Sequence, residues 1–152
     1  ILLNFPRFGK MKGMGQIVSY SIKDESLHVE AMTKLFREFI KENIDIWTDD
    51  FKKEIYQACR DMVDLEQKFL DLVFEMGDIP GLTRGEMAAY VEYIADRRLL
   101  QLGLKPNYNV KDNPLDWLDD VLGVEHQNFF EGRATAYMKA GLRGNQEGIT
   151  FS

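Results

Sequence analysis

Glu25 and His28 stand three residues apart in SIKDESLHVE, residues 21–30. On an α-helix that spacing projects both side chains from one side, so a carboxylate oxygen and an imidazole nitrogen can grip the same ion. Around them Val18, Ile22, Val29, Met32, Phe36 and Phe39 recur at the three-and-four spacing of a buried helical stripe. Glu25 lies one heptad after Val18 and one before Met32, and His28 one heptad after Ser21 and one before Leu35. Both polar residues are therefore expected to face inward. An unpaired carboxylate there would cost several kcal/mol or change its protonation state, so something must sit opposite. A Glu-x-x-His pair on an inward face is half of the two-metal site built inside four-helix bundles, and its oxygen-rich ligation suits iron or manganese better than zinc. The bland reading, a buried Glu–His pair hydrogen-bonded to its neighbours, stays open at this point. Asp24, just before the pair, could hold a partner imidazole or water from the second sphere.

The helix carrying this pair is expected from about Met14 to Asn43, after a break at Pro6 to Gly15. A second helix runs from about Asp50 to Met76 behind a cap at Thr48 or Asp49. Its apolar positions Phe51, Ile55, Ala58, Met62, Leu65, Phe69, Leu72 and Met76 form the best heptad series in the chain and are expected to be its core face. GDIPGL is a turn, with Gly77 as the helix stop. Thr83 and Glu86 make a capping-box pattern for a third helix reaching about Leu102. A loop follows, then a short helix with Pro114 in its first turn. No strand pattern occurs, and the expected fold is all-α, a bundle of antiparallel helices.

Composition limits the function. The 152 residues are 45% apolar and 29% charged, one domain's worth, with a mobile tail expected over about 141–152. A net charge of −6 argues against a nucleic-acid partner. No apolar run is long enough to span a bilayer, so no membrane role is expected. A single cysteine rules out an internal disulfide and suggests a cytoplasmic setting. That residue, Cys59, reads as a small buried hydrophobe, and Trp47 and Trp117 as packing anchors. His126 reads as a surface or packing residue, Asp49–Asp50 as helix-start charge and Asp119–Asp120 as a solvated face.

Four stretches carry a more specific signal. GQIVSYSIKDESLHVEAM, with Lys23, Asp24, Glu25 and His28, resembles the second metal-binding helix of the class I ribonucleotide reductase small (β) subunit, whose form there is Arg/Lys-Asp-Glu-x-x-His. YVEYIADRRLLQLGL, NPLDWLDDV and NFFEGRATAYMKA resemble later landmarks of the same family, in the same order. The resemblance implies a ferritin-like bundle whose di-iron, manganese–iron or dimanganese centre generates a radical, a tyrosyl radical in most members. The large (α) subunit uses that radical to make deoxyribonucleotides for DNA replication. It also implies a homodimer of the full-length β subunit. Carried over by position, Glu25 and His28 would ligate the second metal, and Asp24 would be the second-sphere carboxylate on the radical-transfer route.

The same resemblance puts the other ligands and the radical tyrosine ahead of Ile1. The chain is therefore expected to be the C-terminal part of a β subunit, a single partial domain over 1–152 with an incomplete site. Two other readings compete, another ferritin-like di-metal oxidase and a metal-free helical interaction module.

Overall fold

A computed structural model describes residues 1–120 of the chain. Four helices make up most of it: α1 (Asn4–Arg7), α2 (Lys12–Glu42), α3 (Asp49–Val73) and α4 (Arg84–Gln101), with a 3-10 turn at Ile44–Ile46 joining α2 to α3. Among the described residues there is no strand, only an isolated bridge between Ile79 and Leu82. The all-α expectation holds. The chain divides into two compact units, Ile1–Asp116 and Trp117–Ser152, and the first is described below. The expected tail over 141–152, the NFFEGRATAYMKA stretch and His126 lie outside the described residues.

The helix ends follow local chemistry. Thr48 caps α3, its hydroxyl oxygen accepting the Phe51 N–H at 3.2 Å, while Asp49 and Asp50 place negative charge on the first turn. α4 opens on a complete capping box. The Thr83 hydroxyl oxygen accepts the Glu86 N–H at 3.1 Å, and the Glu86 carboxylate accepts the Thr83 N–H at 2.8 Å. These bonds favour the charged carboxylate and hold Glu86 below its ordinary 4.5. A depressed folded value means stability that is present above about pH 4.5 and lost as pH falls through the folded value. Glu86→Gln should therefore lower the melting temperature slightly at pH 7. The gap to the parent should close in melts run below pH 4, and a gap independent of pH would refute the charged cap.

α3 and α4 pack along their lengths, burying Val63, Leu70 and Phe74 against Leu82, Met87, Ala88 and Leu99. Arg84 clamps the pair, its Nε and Nη2 donating to Asp71 Oδ1 at 3.0 and 2.8 Å. α1 is tied to the α3–α4 turn. Buried Asn4 donates from Nδ2 to the Pro80 carbonyl at 2.9 Å, and Arg7 donates from Nη1 to the Gly81 carbonyl at 3.1 Å. Gly81 sits at φ +73, and the Phe8 ring lies where its Cβ would be, 2.5 Å away. Gly81→Ala should thus combine left-handed strain with a displaced ring and cost about 2–3 kcal/mol in urea unfolding. A loss under about 0.5 kcal/mol would show that α1 does not hold the turn. Gly15 is the other forced glycine, since the Pro6 ring occupies the space of its Cβ and brings α1 against α2.

Two expectations need correction. The α3 heptad series is largely uncovered, with Met62, Leu65, Phe69, Leu72 and Met76 among the exposed large apolar residues. The helix carries a second stripe, Cys59, Val63, Leu70 and Phe74, and that is the one against α4. Ile55, Ala58 and Met62 of the heptad series border α4 across an open cleft, and the series beyond them is left exposed. Helix limits also shift, α2 starting at Lys12 and α3 ending at Val73, and the residues after Pro114 become helical only at Asp116. Trp47 does act as an anchor, packing edge-on to Phe36 and Phe51 at 5.8 and 6.2 Å between ring centres.

Candidate metal centre

α2 carries the whole Lys-Asp-Glu-x-x-His run on continuous helix. Glu25 and His28 meet as the spacing requires, Oε2 lying 3.6 Å from Nδ1. Where they point departs from expectation. Their side chains are 70% and 72% exposed, and the stripe beside them is open as well, with Met32 63% and Phe39 50% exposed. Helical periodicity marks a face that gains free energy when covered, but only an element lying opposite can cover it. Among the described residues α4 reaches part of this face, and Glu25, His28 and Met32 stay exposed.

The rest of the run divides. Asp24 is exposed, and among the described residues it makes no hydrogen bond or ion pair. Lys23 is buried, its ammonium 5.7 Å from the centre of the Tyr20 ring. His28 also borders an open cavity of about 450 Å³ between α2 and α4, where Arg98 and Leu102 face Val29, Met32 and Phe36. Arg98 donates from Nη1 to Gln101 Oε1 at 2.8 Å, so its guanidinium is held along its own helix. Among the described residues no group of three or more His, Cys, Asp and Glu could hold a metal ion. A carboxylate and an imidazole at this distance fit one side of an iron or manganese site in donor chemistry and need further ligands to close it.

Asp96 was not singled out by its sequence context and is a principal polar anchor of the described residues. It is 2% exposed. Its Oδ1 accepts the Asn107 and Tyr108 N–H groups at 2.7 and 2.9 Å, and its Oδ2 accepts the Val110 N–H at 3.0 Å. One carboxylate thereby shapes the whole loop after α4, in the manner of an anion nest. The signal was present: Asp96 lies three residues after Tyr93 and three before Leu99, on the inner side of the helix. Cys59 is half-buried in an apolar cleft of about 480 Å³ between α3 and α4. Burial pushes its thiol up, which disfavours the reactive thiolate and agrees with a packing role.

With this geometry in place, similarity to known proteins is informative. Residues 1–114 match the family model described as ribonucleotide reductase, small chain. The chain is 42% identical over 147 residues to the "Probable ribonucleoside-diphosphate reductase small subunit" of Invertebrate iridescent virus 3, covering 95% of this chain and 39% of that protein. It is 35% identical over 142 residues to the ribonucleoside-diphosphate reductase subunit beta of Chlamydia pneumoniae, covering 93% and 40%. Among solved structures it resembles the ribonucleotide reductase R2 subunit from Clostridium botulinum, with a TM-score of 0.74 and 29% identity over 78% of this chain and 37% of that one. The chain thus spans about two fifths of the length of the curated relatives it matches.

Proposed function

The chain belongs to the ribonucleotide reductase small-chain family, and from that premise we propose that it is a segment of a class I β subunit whose di-metal centre generates the radical used by a large subunit to reduce ribonucleotides. The observation that carries this reading is the Glu25–His28 pair, 3.6 Å apart on one face of α2 within the matched residues. Glu25 and His28 would ligate one ion, and the remaining ligands would come from the part of the subunit this chain does not span. Iron, manganese with iron, or two manganese ions suit that donor set. When bound, the centre would supply the one-electron oxidation from which the radical arises.

What this chain's residues contribute follows from their chemistry. His28 offers a ring nitrogen in its neutral form and Glu25 a carboxylate oxygen in its ionised form. α2 fixes the two donors relative to each other before any ion arrives, which limits the ordering cost of binding. Asp24, on the neighbouring turn position, would accept a hydrogen bond from a ligand or water of the outer sphere and orient it. The apolar stripe of Val29, Met32 and Phe36, once covered by the rest of the subunit, would keep bulk water from the site. We place the protein in the cytoplasm as a homodimer of full-length subunits; no described helix is long and apolar enough to cross a membrane.

The test is catalytic. The full-length subunit, loaded with iron, manganese or both and mixed with its large subunit, should convert a ribonucleoside diphosphate to the deoxy product. Absence of turnover under every loading would overturn the proposal.

A further inference from the structure

A trough of about 660 Å³ lies between the C-terminal half of α4 and the loop that follows it. Neither wall belongs to the Glu25–His28 site. One wall carries Tyr93, Arg97 and Leu100, and the other Pro106, Val110 and Lys111. Both walls are preformed. The loop is held by the three N–H groups that Asp96 receives. Arg97 is held on the Tyr93 ring, its guanidinium carbon 5.4 Å from the ring centre and its Nη1 donating to the Tyr93 hydroxyl at 2.6 Å. A guanidinium fixed in this way gives up little rotamer freedom when it meets a carboxylate.

Charge singles out this trough. The chain carries a net charge of −6, yet the trough is lined by two cations, Arg97 and Lys111, against one acid, Asp96. The Asp96 carboxylate is directed to the loop N–H groups. Lys111 makes no ion pair among the described residues, and Leu100, on the α4 wall with Arg97, is 57% exposed. Two cations beside an apolar surface complement a ligand that carries both carboxylates and an apolar side chain. Free phosphate or a nucleotide's phosphates would meet the cations and leave Leu100, Pro106 and Val110 uncovered.

We propose that the trough between α4 and the 106–111 loop docks an extended acidic peptide segment of a partner protein, with Arg97 and Lys111 taking its carboxylates and Leu100 with Val110 seating an apolar side chain. Chain segments read in this way combine electrostatic steering with an apolar anchor, so binding weakens with salt but does not vanish.

A fluorescein-labelled synthetic peptide rich in Asp and Glu and carrying two leucines is the probe, titrated with the full-length subunit and read by fluorescence anisotropy. Lys111→Glu should raise its Kd about tenfold or more, and Leu100→Asp should do the same from the apolar side. Both positions are exposed, and a thermal melt of each variant verifies that the fold is kept. Three outcomes would overturn the proposal: no measurable binding to the parent subunit, an unchanged Kd in Lys111→Glu, or full displacement by inorganic phosphate together with indifference to Leu100→Asp. The last would make the trough a simple anion site.

Discussion

Glu25→Ala and His28→Ala, each made in the full-length subunit, should empty or at least halve the metal bound per subunit, as read by elemental analysis after loading and desalting. Loss of an outer-sphere partner typically costs 10–100-fold in metal affinity or activity, so loss of a ligand should cost more than about 100-fold in turnover. Asp24→Ala should fall within that smaller outer-sphere range, which makes the three variants a graded series. Stability should separate the metal reading from a structural one. The 3.6 Å pair is over two-thirds exposed within this chain, so its own contribution as an ion pair is about 1 kcal/mol or less. Variants that melted far below the parent without metal, or that kept full metal content, would return the pair to the role of a helix-surface contact.

Asp96→Ala should be among the most destabilising substitutions in the described residues, costing about 3 kcal/mol in urea unfolding. The carboxylate is 2% exposed and accepts three backbone N–H groups. Hydrogen bonds to a charged group are worth about 1.5–3 kcal/mol each, and part of that is recovered when the loop N–H groups reach water. Asp96→Asn should cost about half as much. Its single carbonyl oxygen can keep the Asn107 and Tyr108 N–H groups, but its NH2 then confronts the Val110 N–H, donor against donor. Amide hydrogen exchange locates the effect: protection should drop at 107, 108 and 110 and persist within α3. Equal stability of the Ala variant and the parent would show that the loop is held by something else.

The two predictions concern residues of opposite legibility. Glu25 and His28 could be named from spacing alone, because i and i+3 share a side of any α-helix whatever surrounds it. The Thr48 cap and the Thr83–Glu86 capping box were equally legible, since each is a bond made within a few residues. Asp96 was passed over because its partners lie 11 to 14 residues ahead, on a loop with no periodicity to read. Arg98 was missed for a similar reason: its place beside His28 depends on how α4 runs past α2.

Local order, then, was determined by the sequence itself: an all-α chain, the caps that open α3 and α4, the carboxylate–imidazole pair and the run of residues that marks the family. All of these rest on interactions that close within about one helical turn or on residue types at short spacing. Only the tertiary structure decided which faces are covered. α3 owns two apolar stripes, and the one with Val63 and Leu70 is buried while the better heptad series is open. α2 turns Glu25, His28 and Met32 to a side that α4 borders across an open cavity and leaves largely exposed. A stripe records that burial would be favourable, but burial is a contact between two surfaces, and the second surface is written elsewhere in the fold.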